Sequence, residues 1–319
     1  MQEQPEKSSH PKPPLHIRFW MSLRMGVVGK LLPVWGISLA ASLFVVYILQ
    51  NLLPGDANPT DPINTSAFII TAFVSMACMY IDASLGMGYG TTLTPILLLM
   101  GYNPLDVIPS LLVCQWLAGI AAGISHQSAG NIDLSTSSPH FKIAVVLSAC
   151  GVVGALSAVK VAISIDSAHL TLFIGLVVLI VGIVIFITRN KQYRFSWRKI
   201  VFLGLVASFN KGLSAGGYGP LVTGGQMLSG VGGKQAIGIT ALSEGLTCLV
   251  ATTGFLASGN VSDLSLAFPL VTGALCSVPL SAYTVRSLPV TKLKTLVATL
   301  TIILGVVTTA KAIMKLYGN

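Results

Sequence analysis

The chain has 319 residues, of which 53% are hydrophobic and 9% are charged. Soluble domains carry about 25% charged residues, so this composition excludes a soluble globular domain and predicts an all-α polytopic membrane protein. The apolar residues run continuously instead of alternating, which favours helices over a β-barrel in the lipid bilayer. The formal net charge of +9 is explained by basic residues beside membrane spans, and no nucleic-acid partner is expected.

The N-terminal region precedes a repeated part of the chain. Residues 1–30 are polar and basic and contain Pro11, Pro13 and Pro14, so we expect a partly disordered cytoplasmic head. The apolar stretch 31–53 predicts one extra, uncleaved transmembrane helix. Two repeats are predicted at 64–189 and 200–315, and the basic segment 190–199 links them on the cytoplasmic side.

The duplication is visible as short patterns that recur 129 positions apart. The Gly-Tyr-Gly triplet at 88–90 falls on the same triplet at 217–219. The same shift, without a gap, places Gly-Asn-Ile at 130–132 on Gly-Asn-Val at 259–261. Agreement at separate landmarks in one register predicts an internal repeat.

Each repeat contains five apolar segments, and the second of each five is short. The segments are predicted at 65–85, 91–101, 104–126, 141–163 and 167–188 in the first repeat and at 200–213, 219–230, 234–257, 265–286 and 291–313 in the second. Because each short segment follows a Gly-rich break, we interpret it as a half-helix. Because five is odd, the repeats should enter the membrane from opposite sides, and inverted repeats with broken helices are typical of secondary transporters.

The distribution of charge predicts the orientation. With a cytoplasmic N-terminus and a reversal at every segment, most of the 19 Lys and Arg residues lie on the inside. Five acidic residues fall on the outside, namely Asp56, Asp61, Asp106, Asp166 and Asp263. Lys311 and Lys315 fit this orientation least, because they lie at a C-terminus that is predicted to be external.

The two Gly-rich breaks are the candidate binding elements. Short helices are predicted to begin at about Thr91 and Pro220, and a helix N-terminus offers free N–H donors and a partial positive charge that suit an anion. We predict that an anion binds between the breaks near the middle of the membrane. The predicted contacts are Gly86, Gly88, Tyr89, Gly90, Thr91, Thr92, Asn210, Lys211, Ser214, Gly216, Gly217, Tyr218 and Gly219. A second interpretation stays open, in which these glycines only allow close helix packing.

Ionisable residues inside apolar segments are candidates for coupling or gating, because charge is costly there. The 129-residue shift places Asp82 opposite Lys211 and Gln115 opposite Glu244. Asp82 and Lys211 are predicted to form a salt bridge, or Lys211 attracts the anion instead. Glu244 either carries a coupling proton or ties two helices through a hydrogen bond.

Enzymatic chemistry is not expected from this sequence. His126 falls at a predicted membrane edge as an ordinary interfacial histidine, which leaves Ser84 and Ser214 without a placed base for an intramembrane hydrolase. The five cysteines lie in apolar stretches without a metal-binding spacing. We therefore expect no metal ion and no cofactor.

These motifs resemble the sulfite exporter TauE/SafE family. Its pattern is a Gly-rich break, a proline a few residues on, a small-residue-rich helix and a Gly-Asn-Val/Ile-Asp loop, all repeated. The first copy has the break at 86–90, Pro95 and the loop at 130–133. The second copy has the break at 216–219 and the loop at 259–261.

The chain departs from this pattern in three places. Tyr89 and Tyr218 stand where the family often continues with glycine, and Gly224 replaces the second proline. The resemblance covers about 65–315 and implies a multi-pass cell-membrane transporter for sulfite or an organosulfonate. The residues alone indicate only an anion, so another small anion such as a carboxylate remains an alternative.

Overall fold

The computed structural model describes residues 65–188, 196–259, 261, 263–284 and 290–317. The predicted head and first span lie outside the described residues. Ten helices occur in the described part of the chain: α1 Thr65–Leu85, α2 Tyr89–Leu99, α3 Pro104–Ser128, α4 Pro139–Ala162, α5 Ser167–Thr188, α6 Trp197–Ser214, α7 Tyr218–Leu228, α8 Gly233–Ser258, α9 Ala267–Thr284 and α10 Val290–Tyr317.

The all-helical membrane architecture is confirmed, since six of these helices are long and apolar enough to cross a membrane. Large apolar side chains point outward from the bundle, as Phe73, Phe202 and Ile303 do with more than half of their surface exposed. Broad exposed apolar faces mark contact with lipid. The polar side chains of the interior therefore need partners within the protein or a ligand.

Two short helices, α2 and α7, follow the Gly-rich breaks. Helices α2 and α7 have 11 residues each, a length of about 16 Å, which is about half of the hydrocarbon core. They begin at Tyr89 and Tyr218, two residues before the predicted starts at Thr91 and Pro220. The difference arises because each helix starts directly after a glycine with positive φ.

Equivalent helices of the two halves pack against each other in antiparallel pairs. Along α5 and α10, a Cβ at Gly175 would lie 2.8 Å from the Thr309 nitrogen, and one at Gly182 would lie 2.9 Å from the Ile302 nitrogen. The residue numbers rise on one helix as they fall on the other. Small residues at these crossings let the backbones approach closely.

Helices α3 and α8 cross at Gly119, where a Cβ would lie 2.8 Å from the Gly245 Cα. The beginning of α8 lies near the end of α3, since Gly238 packs against His126. At the opposite end, the Asp263 N–H donates to Asp106 Oδ1 over 3.3 Å. The remaining principal pairs are α4 with α6 and α1 with α9. The polar interior lies where α1, α3, α6 and α8 approach the starts of α2 and α7.

Candidate functional site

The two breaks have residues with positive φ at the same two equivalent positions. In the first, Gly86 and Gly88 have φ values of +68° and +130°. In the second, Ala215 and Gly217 have φ values of +55° and +76°. Ala215 is the one residue other than glycine with positive φ in the described part of the chain. The left-handed conformation ends α1 and α6 abruptly, and three residues later a short helix begins.

The breaks lie directly against each other at their glycines. The Gly90 backbone abuts the Ala215 carbonyl so closely that no Cβ fits, and the Gly219 backbone abuts the Gly86 carbonyl in the same way. The 129-residue shift relates Gly90 to Gly219 and Gly86 to Ala215, so each half makes the same contact with the other. Such reciprocity is characteristic of a two-fold relation. Gly90 and Gly219 therefore allow the backbones of the two breaks to approach closely.

Threonines from each half satisfy carbonyl groups of the other. Thr94 Oγ1 donates to the Ser214 carbonyl over 3.0 Å, and Thr223 Oγ1 donates to the Gly86 carbonyl over 2.9 Å. Terminal carbonyls of a helix have no partner within the helix, so a buried break needs such donors. Sequence reasoning missed Thr94, although its 129-residue separation from Thr223, a polar residue that flanks the second break, identifies the two threonines as equivalents.

The tyrosines that depart from the family pattern anchor the short helices. Tyr89 and Tyr218 are both fully buried. The Tyr89 hydroxyl lies 3.0 Å from Cys114 Sγ on α3, and the Tyr218 hydroxyl donates to Ser243 Oγ on α8 over 3.2 Å. Cys114 and Ser243 are again equivalent residues, so each half fastens its short helix to its third long helix at the same place.

The Asp82 carboxylate accepts a hydrogen bond from the first backbone N–H group of α2. The Tyr89 N–H donates to Asp82 Oδ1 over 3.1 Å, so a carboxylate of the protein lies at this helix N-terminus. A negative charge is stabilised there by the free N–H groups and the helix dipole. In the other half, Asn210 and Ser214 hold the break, because Asn210 Nδ2 donates to the Gly216 carbonyl over 3.1 Å.

Lys211 pairs with Glu244, and the predicted salt bridge between Lys211 and Asp82 is wrong. Lys211 Nζ lies 2.5 Å from Glu244 Oε1, and their side chains are 1% and 8% exposed. The bond joins α6 to α8. The physical reason is that Asp82 is directed to the Tyr89 amide, while a buried ammonium group requires a charged partner and finds it on α8.

Asp82, Gln115 and Glu244 line one small cavity between α1, α3 and α8. It has room for about one water molecule. Gln115 is 3% exposed, and neither its amide nitrogen nor its amide oxygen has a hydrogen-bond partner in the described part of the chain. The structure thus brings together the three residues that the sequence assigned to coupling or gating.

The other predicted contacts lie in the first turn of α2 and in the second break. Thr91 and Thr92 are buried, and Thr91 Oγ1 donates to the Gly88 carbonyl over 3.2 Å. The Gly216 N–H donates to Ser214 Oγ over 3.2 Å. These groups bond within their own break, whereas Asp82 and Glu244 at the cavity bond to residues of other helices.

The prediction of an interfacial His126 is wrong, because this side chain is fully buried. His126 Nε2 lies 2.9 Å from the Ala83 carbonyl, and Asn131 Nδ2 lies 3.0 Å from His126 Nδ1. Asn131 also donates to the Ala282 carbonyl over 3.0 Å. The asparagine of the Gly-Asn-Ile-Asp loop therefore folds over the end of α3 and removes the histidine from the surface.

A model of the sulfite exporter TauE/SafE family matches residues 69–308 of the chain. The chain belongs to this family. The matched region contains both breaks, the cavity residues and both Gly-Asn loops. This TauE/SafE protein is therefore a multi-pass membrane transporter.

A curated relative of this TauE/SafE chain is described as probable membrane transporter protein YtnM from Bacillus subtilis (strain 168). The two are 28% identical over 231 residues, which cover 68% of this chain and 74% of the relative. No solved structure was found to match the chain.

Proposed function

We propose that this chain is a secondary transporter that moves a small sulfur-containing anion, sulfite or an organosulfonate, across the cell membrane by alternating access. The observation that carries the proposal is the buried cluster of Lys211, Glu244 and Asp82 beside the meeting point of two helix breaks. Charges in the interior of a membrane protein usually serve transport. The sulfur chemistry rests on membership of the sulfite exporter family.

The alternating-access part of the proposal depends on two inverted repeats. The antiparallel pairing of α3 with α8 and of α5 with α10 supports this, because these helices are equivalents. The reciprocal contact of Gly90 and Gly219 supports a two-fold axis through the breaks. Rocking one repeat against the other would then open the centre to each side in turn.

The proposed orientation has the N-terminus in the cytoplasm. Lys311 Nζ donates to the Leu99 carbonyl over 2.7 Å, so these two residues lie on the same side, as the orientation requires. In a variant without native cysteines, Ser137→Cys should react with a membrane-impermeant maleimide from the cytoplasm and Ser164→Cys from outside. Both positions are exposed. Labelling of Ser164→Cys only from the cytoplasmic side contradicts the orientation.

The anion is proposed to bind beside the start of α2, next to Asp82. The described packing leaves no space between Gly90 and Ala215, so an anion reaches the breaks only when the repeats move relative to each other. The cavity at Asp82, Gln115 and Glu244 adjoins this start and offers the nearest space. In the proposal, backbone donors, hydroxyls and Lys211 replace the hydration shell of the anion.

Flux into proteoliposomes tests the function. Vesicles that contain the purified protein should accumulate labelled sulfite or methanesulfonate faster than protein-free vesicles, and an excess of the unlabelled anion should suppress the uptake. Lactate and acetate serve as carboxylate competitors. Transport of the carboxylates without transport of either sulfur anion would overturn the substrate assignment, and the absence of any flux or exchange would overturn the transport assignment.

A further inference from the structure

Three polar residues line the central cavity, and Lys211 is bonded to one of them, Glu244. Together they form two equivalent pairs with different charges. Asp82 and Gln115 come from the first half, and Lys211 and Glu244 occupy the corresponding positions in the second. The four residues supply one ammonium group, two carboxyl groups and one amide. In the structure Lys211 pairs with Glu244, while the Asp82 carboxylate accepts from the Tyr89 N–H.

Gln115 is a buried amide without a partner at the wall of the cavity. It is 3% exposed and lines the cavity, and its amide nitrogen and oxygen have no hydrogen-bond partner in the described part of the chain. A buried amide without partners costs about 1–3 kcal/mol, so such groups point to a ligand or to ordered water. An amide nitrogen donates two hydrogen bonds, which suits a sulfonate or sulfite oxygen.

We propose that the transported anion enters this cavity when movement of the repeats widens it, binds Gln115 and replaces Glu244 as the partner of Lys211, and that Glu244 takes up a proton as it loses Lys211. The inference rests on the proposed function and deepens it by naming the site and the coupling ion. The proton comes from water on the side from which the anion enters. It returns to water when the anion leaves and the bond between Lys211 and Glu244 forms again.

The charge balance gives the physical reason for this exchange. Glu244 faces Lys211 from α6 and Asp82 from α1, and these are its charged neighbours within the described residues. The Tyr218 phenol and the Cys248 thiol are also close to Glu244. With Lys211 paired to the anion, an ionised Glu244 would lie unpaired beside Asp82, which is costly in a buried site. Protonation removes that cost, so one monovalent anion and one proton bind together.

The expected result is a proton uptake that can be counted. Methanesulfonate is a suitable probe because it stays fully ionised between about pH 6 and pH 8. Any proton that is taken up therefore binds to the protein and not to the probe. Binding of methanesulfonate to the full-length protein in weakly buffered detergent should take up about one proton per anion, measured with an indicator dye. The affinity should fall by up to ~tenfold per pH unit as the pH rises, because the bound state holds one more proton.

Glu244→Gln should abolish both effects and leave anion binding in place. The neutral amide needs no proton and competes less well for Lys211, so the affinity at pH 8 should rise towards the wild-type affinity at pH 6. Asp166→Asn is the matched control, since Asp166 is an exposed carboxylate at the start of α5. This variant should keep the wild-type proton uptake and pH dependence.

The Gln115→Met variant tests whether Gln115 binds the anion or only supports the fold. Because the Gln115 amide makes no hydrogen bond within the described residues, its replacement should leave thermal stability unchanged or raised while weakening methanesulfonate binding at least ~tenfold, as expected for one lost polar contact. Gln226 is a control for stability, since it is buried and its Nε2 donates to Thr240 Oγ1 over 2.9 Å. Gln226→Met should lower the thermal unfolding temperature.

Three results overturn the inference while the proposed function stands. They are anion binding by the wild type without proton uptake, full proton uptake by folded Glu244→Gln, and unchanged affinity in folded Gln115→Met. The wild-type proton count needs no variant, so the inference stays testable even if Glu244→Gln fails to fold. If the wild type binds neither methanesulfonate nor sulfite, the proposed function fails and the inference fails with it.

Discussion

The first break turns through Gly86 and is followed by a helix whose first amide is held by Asp82, whereas the second turns through Ala215 and has Lys211 in the place of Asp82. The packing residues of the breaks correspond: Gly90 matches Gly219, tyrosine matches tyrosine and threonine matches threonine. The charged residues do not correspond. The comparison indicates that the two halves share one scaffold and divide the chemistry, since one half supplies the cation and its partner and the other supplies the amide and the second carboxylate.

The largest loss of stability should come from removing Lys211, the cation of the second half. Lys211→Met leaves the Glu244 carboxylate buried without its partner, and breaking a buried pair in this way costs about 3–5 kcal/mol. The corresponding change in the first half, Asp82→Asn, should cost at most ~1 kcal/mol, because an amide oxygen can still accept from the Tyr89 N–H. Thermal unfolding in detergent measures both values.

The double variant Lys211→Met/Glu244→Leu sharpens this result. Removing both partners takes away the unpaired charge, so most of the stability lost in Lys211→Met should return without a return of anion binding. Equal destabilisation by Lys211→Met and Asp82→Asn would contradict the division between the halves.

A smaller effect is expected at the shared scaffold. Gly219→Ala places a Cβ against the Gly86 carbonyl, which is rigid backbone, and should destabilise the protein by about 1–3 kcal/mol. Gly90→Ala should cost a similar amount, because it meets Ala215 in the reciprocal contact. Gly224→Ala lies in the same short helix as Gly219 with no atom within 4 Å of the added Cβ. It should stabilise by about 0.5–1 kcal/mol, and a loss at this control would show that α7 tolerates no substitution.

The smallest effect should come from making the second break resemble the first. Ala215→Gly removes the strain of a left-handed alanine from the folded state, which stabilises the protein by about 1–2 kcal/mol. It also raises the conformational entropy of the unfolded chain, which destabilises the protein by about 0.4–1 kcal/mol. The net change in the free energy of unfolding should therefore be a gain between about 0 and 1.6 kcal/mol. A clear loss of stability would mean that the Ala215 methyl group contributes packing that outweighs its strain.

Helix positions could be predicted from the sequence because long apolar runs end at glycine, proline and polar residues. Both α1 and α5 have the predicted bounds, and the short length of α2 and α7 follows from the Gly-rich breaks before them. The equivalence of the halves is also readable, since a gapless shift relates residues that the structure places in equivalent contacts. Hydropathy and the repeat locate the helices along the chain, so the helix bounds can be predicted from the sequence.

The partner of Lys211 could not be predicted in the same way. The shift identifies Asp82 as its equivalent, but equivalent residues need not touch when each half sends its own third helix through the centre. The pairing with Glu244 depends on how closely α6 and α8 pack, which local sequence does not specify. His126 illustrates the same limit, because its burial is produced by Asn131 in a loop that folds back over α3.

The contact of Cys114 with Tyr89 gives the protein a native chemical reporter. The thiol is fully buried, with its sulfur 3.0 Å from the hydroxyl that anchors α2 to α3. An alkylating reagent in solution reaches it only during intervals when α2 moves away, so the alkylation half-time measures how often the centre opens. Substrates that trap an open conformation should shorten that half-time, and those that close the bundle should lengthen it.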